Sequence, residues 1–305
     1  MSPTGWDALN ERLYVIVVRS FVTIMTDRRR HTRTQDVQTG DEHPQSLAGK
    51  AMSLSPRTAT SPWEDHEHGR GYVVLVLPFS SGHQLGLRVF PENDFAPYVS
   101  VWHRPPEKSW SVYVDGPSLE TTCPRYWGPV LDSAALTTID VTWTGPSELR
   151  IEMEKPELTW MLSIDAPRAL RVMNTVSSAL PLSLWTPNSP MDLWGRVVPR
   201  FLDALGIRFP FTTATDHEAV LMAQETCIID EAEAVLNGRS LGDPVRLTEN
   251  PTIGDVPLPP EPYFIFGQVH MRITDREEYV RTKERIHDMA LGRFPPGRQD
   301  GPNSC

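Results

Sequence analysis

The chain has 305 residues, a formal net charge of −10, and 39% hydrophobic against 22% charged residues. That apolar content is ordinary for a folded domain, and the acidic balance excludes a general affinity for nucleic acid or for an anionic membrane surface. Three cysteines, Cys123, Cys227 and Cys305, stand far apart and outside any CxxC pair. This excludes a disulfide framework or zinc ribbon and predicts a reducing, cytoplasmic setting.

Residues 1–60 read as a poorly ordered extension. An apolar run at residues 13–25 is broken by Arg19, is too short to span a bilayer, and is followed by basic and then Ser/Thr/Gln-rich sequence. No stable membrane insertion is expected. Strand signals begin after Trp63. Residues 71–79 form a continuous apolar run, as in a strand buried on both faces. Residues 83–90 alternate, with Leu85, Leu87 and Val89 against Gln84, Gly86 and Arg88, which predicts a half-buried strand. Residues 98–103 and 109–115 are two further strands, joined across Pro105-Pro106, which cannot donate to a ladder. Three more runs, at 136–144, 148–154 and 158–165, continue the meander.

The period then changes. Asp165 is a candidate N-cap with Pro167 in the first turn, and Ala169, Val172, Met173, Val176 and Leu180 share one helix face up to Pro181. A second helix is predicted from Ser189 to the stop at Gly206, kinked at Pro199. Strands resume at 219–229 and 231–236, with Asn237-Gly238 as a hairpin turn, and a last strand covers 263–273. Asp275 caps a charged helix over 275–290.

One ordered set of motifs runs through the first half. Pro62-Trp63 precedes Gly69-Arg70-Gly71 and an apolar strand; Leu87 to Phe90 leads through Asp94 to Pro97-Tyr98. Val101-Trp102-His103-Arg104-Pro105-Pro106, Trp110 and Val112-Tyr113-Val114-Asp115 follow, then Arg125-Tyr126-Trp127-Gly128-Pro129. This order resembles the acetoacetate decarboxylase superfamily, in the pattern of its plant relatives linked to neoxanthin accumulation. The resemblance covers about a quarter of the chain. It implies a closed, cone-like antiparallel β-barrel around a small-molecule cavity, with helices outside. It also implies departures. The decarboxylases carry a lysine pair after this segment, whereas Pro129 is followed here by Val130-Leu131-Asp132, and a glutamate two residues past the Pro-Tyr tyrosine is Ser100. Schiff-base chemistry needs an activated amine, so ordinary decarboxylation is not expected.

The hairpin carries the site candidates. His103 and Asp115 end its two strands and form a candidate His–Asp pair, with Tyr113 or Tyr126 polarising a carbonyl. Tyr98, Trp102, Trp110, Arg125 and Trp127, with Met173 and Trp194 from the helices, are the candidate ligand contacts. The plainer alternatives are a surface histidine and ordinary core aromatics, and Cys123 reads best as a small buried thiol. Residues 64–68 hold His66 and His68, but no third ligand stands at a suitable spacing, nor beside His217 or His270. No metal or cofactor is expected.

The sequence thus predicts a mainly β (α+β) chain: an extension over 1–60, a barrel domain over 61–274 with a helical insertion at about 166–206, and a C-terminal helix and tail over 275–305. The expected function is binding of a small apolar, carbonyl-bearing molecule (isoprenoid, polyketide or acyl compound), with cofactor-free acid–base chemistry of lyase, isomerase or cyclase type if it is an enzyme. The alternatives are a non-catalytic lipid or pigment carrier and a protein-interaction module.

Overall fold

The computed structural model describes residues 46–179, 208–247, 250–259 and 261–290. The second expected helix, Trp194, residues 1–45 and the C-terminal tail lie outside these residues. In chain order the first half supplies helix α1 (Leu47–Ser53) and strands β1 (Arg57–Thr58), β2 (His66–Pro78), β3 (Gln84–Asn93), β4 (Tyr98–Arg104) and β5 (Trp110–Asp115). Then come a short helix α2 (Cys123–Trp127) and strands β6 (Leu131–Leu136), β7 (Ile139–Trp143), β8 (Glu148–Met153) and β9 (Leu158–Asp165). Helix α3 (Arg168–Ala179) precedes β10 (Arg208–Thr212), the 19-residue β11 (Glu218–Leu236) and β12 (Arg239–Ser240). A small hairpin of β13 (Thr252–Ile253) and β14 (Val256–Pro257), strand β15 (Tyr263–Arg272) and helix α4 (Arg276–Ala290) complete the described elements.

One mainly antiparallel sheet runs in the order β6-β5-β4-β3-β2-β15-β11-β9-β8-β7, with β1, β10 and β12 paired off this path. It curls into a half-barrel and does not close, which corrects the expected closed cone. Its two edge strands, β6 and β7, are consecutive in the chain and are linked only through Thr137 and Thr138. The parallel pairing of β5 with β6 keeps β6 at one border, while β7 continues antiparallel onto β8 at the other. The expected hairpin across Pro105-Pro106 is present, with Val101 opposite Tyr113. Residues 219–236, read as two strands, are one strand with an extra residue at two places, between Ala223 and Glu225 and between Ile229 and Glu231. That length lets β11 pair with β15 along one part and β9 along another, which turns the sheet.

The concave interior is filled with side chains. Tyr72, Val74, Leu87, Val101 and Phe264 meet Leu149, Ile151, Trp160 and Leu162 from the curled-over strands, and Trp160 is 0% exposed. Burial of such side chains contributes roughly 1.5–3 kcal/mol each. Leu47, Ala51 and Leu54 of the α1 region belong to this same core, so residues expected to lie in the poorly ordered extension are part of the fold. Helix α3 sits against β11: the Asn174 amide brackets Thr226, accepting from its N–H at 2.8 Å and donating to its carbonyl at 2.9 Å. These bonds satisfy β11 backbone groups in the gap between its pairing with β10 and its pairing with β9.

Alternate residues of the central strands face the other way and form a second core: Val73, Leu75, Phe90, Tyr98, Trp102, Val112, Ile265 and Val269. Strand β3, expected to be half-buried, is therefore covered on both faces. Helix α2, strand β10 and the β13–β14 hairpin supply the cover. Trp110 fixes part of it, donating its indole N–H to the Thr252 carbonyl at 2.8 Å.

Candidate functional site

A cavity of about 380 Å³ lies within the second core, outside the curl of the sheet. Its floor is Val73, Leu75, Arg88, Phe90, Tyr98 and Trp102 from three neighbouring strands. Period-2 alternation puts these side chains on one face. Helix α2 adds Cys123, Tyr126 and Trp127, and the roof includes Phe209, Phe211, Ile253 and Leu258. Rings lock the two layers together: Trp127 stacks on Phe211 with centroids 6.1 Å apart, and Trp102 meets Trp127 edge-on at 6.3 Å. No lysine, histidine or carboxylate lines the cavity among the described residues.

Besides Arg208 at the β10 wall, three polar groupings interrupt this apolar surface. Arg88 is 9% exposed and sits where β2 carries an extra residue, between the pairs Val74–Leu87 and Leu77–Leu85. The bulge leaves β2 carbonyls turned away from the ladder, and the Arg88 guanidinium donates to those of Val74 and Leu75 and to that of Leu87. Its plane lies 5.6 Å from the Trp102 ring. Burial lowers the Arg88 pKa, while Cys123 and Tyr98 pull it back up. Second, the Tyr98 hydroxyl and the Ser100 hydroxyl each lie 3.4 Å from the Cys123 thiol. Burial, reinforced by Cys123, holds the Tyr98 phenol well above its ordinary pKa.

Third, Tyr126 donates its phenol proton to Glu67, which is buried at the start of β2. Burial and the Glu67 charge keep this phenol protonated far above its usual range. Arg125 completes the cluster, donating to Glu67 at 3.0 Å and to Glu278 of α4 at 2.9 Å. Burial opposes the Arg125 charge, but Glu67 more than offsets it and raises the pKa. Beside this cluster, Asp94 accepts from Tyr279 at 2.7 Å and Lys283 at 2.8 Å, tying α4 to the end of β3. Asp275 caps α4 as expected, accepting from the Glu278 N–H at 2.9 Å.

The structure separates the expected catalytic residues. In the β4–β5 register Asp115 lies opposite Val99 and His103 opposite Ser111. Four residues of strand, about 13 Å, thus part the two, and no His–Asp pair forms. Asp115 instead accepts the Ile139 N–H at 3.0 Å. His103 meets His83 with Nε2 and Nδ1 2.8 Å apart, and burial followed by the His83 charge pulls its pKa down to about 4. Tyr113 packs against the concave core, on the face opposite the cavity. Of the four, Tyr126 alone lines the cavity.

Among the expected contacts, Tyr98, Trp102 and Trp127 line the cavity. Trp110 acts one layer back, through Thr252, and Arg125 serves the Glu67 cluster. Met173 is buried on α3, which packs on β11 away from the cavity. His68 and His270 are cross-strand neighbours with rings 4.9 Å apart, yet no group of three metal-ligating side chains forms among the described residues.

Sequence reasoning passed over Arg88, Glu67, Phe209 and Phe211. A signal for Arg88 was available: the supposedly polar phase of its strand, Gln84-Gly86-Arg88, continues into Phe90. A solvent-facing phase has no need of that phenylalanine. Against known proteins, the chain matches no family model, no curated protein and no solved structure.

Proposed function

We propose that the chain binds a small apolar, carbonyl-bearing molecule in the cavity between the second face of the sheet and α2. The observation that carries this reading is a half-open, largely apolar hollow of about 380 Å³ with a few polar groups in its lining, Arg88, Tyr98, Tyr126 and Arg208. Binding pockets have this composition, apolar walls for affinity and sparse donors for orientation. The resemblance to acetoacetate decarboxylases implies a ligand inside a closed barrel, whereas this hollow lies outside the curl of the sheet and no lysine lines it among the described residues, so the reading rests on the hollow itself.

The same lining favours binding without turnover as the second reading. Acid–base catalysis needs a group that exchanges protons near working pH, and among the described residues the cavity presents two phenols held protonated and no histidine or carboxylate. Within the enzyme reading, Tyr98 is the phenol that would polarise a carbonyl, since the single Tyr126 proton is given to Glu67.

The test is titration of the full chain with 2-acetonaphthone, followed through quenching of the cavity tryptophans. Leu221 lines the wall, and Leu221→Trp would occupy the space. Saturable binding that disappears in Leu221→Trp supports the reading. Absence of binding by this ketone and by its acid and amide counterparts would overturn it. Native mass spectrometry of protein from its own host then separates carrier from enzyme, because a carrier retains an unchanged apolar molecule.

A further inference from the structure

We propose that the cavity is a receptor for an apolar anion, an aryl or medium-chain carboxylate whose charge is met by Arg88. The inference rests on reading the cavity as a ligand site and adds the sign of the ligand's charge.

Arg88 is a cation buried without a counter-charge. It forms no ion pair among the described residues, and its fork donates to three backbone carbonyls. The buried acids on this side are committed elsewhere, Glu67 to Arg125 and Tyr126, Asp94 to Tyr279 and Lys283. The groups that face Arg88 are Tyr98, Cys123 and Trp102, none of them a carboxylate. Carbonyl dipoles satisfy hydrogen bonds but leave the net charge in a low-dielectric wall, where it is costly. A guanidinium has five N–H donors, and three bonds to carbonyls leave two, the number a carboxylate takes in a bidentate contact.

The surroundings suit an acid better than a neutral carbonyl. The floor beside Arg88 adds the Tyr98 hydroxyl and the Cys123 thiol, Arg208 stands in the β10 wall, and the other walls are mostly aliphatic and aromatic. Such a site attracts negative charge on an apolar body, with Arg208 a second cation in the wall, and rejects zwitterions, whose positive charge would meet Phe90, Phe209 or Leu258. The cavity is at the small end of ligand pockets, which fits a bicyclic aromatic or a medium-chain acyl body.

Three probes with one body test this on the full chain by calorimetry: 2-naphthoate, 2-naphthamide and 2-acetonaphthone. The expected result is a Kd for the acid at least tenfold below those of the neutral pair. Arg88→Met should remove the preference, bringing the Kd of the acid up to that of the neutral pair. Since Arg88 also clasps the β2 bulge, that variant can fail to fold, and the wild-type comparison then decides alone. Leu221→Trp should abolish naphthoate binding. Equal affinity of acid and ketone would overturn the anion receptor while leaving the cavity reading intact, as would naphthoate binding that survives Leu221→Trp. No binding of any of the three would remove the cavity reading and this inference together.

Discussion

Gly71 of β2 and Gly267 of β15 face each other across the central ladder, and each leans on a backbone carbonyl of its outer neighbour. A Cβ on Gly71 would lie 1.9 Å from the Val89 oxygen, and one on Gly267 2.1 Å from the Met222 oxygen. Both stand where the register shifts by one residue, on the β3 side and the β11 side respectively. Two irregularities flanking one pair let the middle of the sheet bend without losing its β2–β15 pairing.

Replacing Gly267 by alanine should therefore destabilise the fold by at least about 2 kcal/mol, since backbone rather than a movable side chain must yield. Urea unfolding followed by far-UV circular dichroism measures this. A loss within a few tenths of a kcal/mol would show that the close approach is readily relieved.

Trp160→Ala should be a pure core lesion. The side chain is 0% exposed in the concave interior, so truncation should cost about 3–5 kcal/mol. Because the interior and the cavity lie on opposite faces, binding of 2-acetonaphthone at a temperature where the variant is folded should change less than threefold. A larger change in affinity would mean that the two cores are coupled through the sheet.

Asp94→Asn should loosen α4. The variant keeps the shape but removes the charge that holds Lys283 and the acceptor that takes the Tyr279 proton. Lys283 is 29% exposed and can turn to water, so the expected cost is about 2 kcal/mol, below that of a wholly buried pair. Hydrogen exchange should report faster opening of Arg276–Ala290. Unchanged protection there would assign the helix's attachment to its other contacts.

Stability should fall on mild acidification. His103 and His270 have pKa values lowered to about 4 and about 2, in each case by burial first and by neighbouring histidines second. The unfolded chain takes up these protons near pH 6.5, so the fold keeps its full advantage above that value. The advantage declines from there, for His103 down to about pH 4. His103→Gln should thus flatten the dependence of Tm on pH between 7 and 4.5. Parallel curves for the variant and the wild type would refute the assignment.

Much of the architecture is written locally. The Pro105-Pro106 hairpin, the Asn237-Gly238 turn with φ of 50° and 72°, and the Asp275 cap each need only neighbours in the chain. What could not be read is what covers each face. Alternation in residues 84–90 tells which side chains share a side, and it assigned Arg88 to solvent because a period-2 pattern has no information about a second layer. The His103–Asp115 pair failed for a related reason. Both residues end a strand and share a face, but antiparallel pairing sends the ends of consecutive strands to opposite extremities. Tyr98, Trp102, Tyr126 and Trp127 were recoverable because aromatic density survives such errors of placement.

The main path of the sheet ends in two border strands, and both fall within residues 131–143. The border groups of that path are thereby gathered in one short stretch of sequence. Asp132 and Asp140 stand outward along it, where charge opposes the stacking of like strands. Neutralising that pair would ease strand-to-strand association at both ends of the path at once, since one contiguous segment guards both flanks.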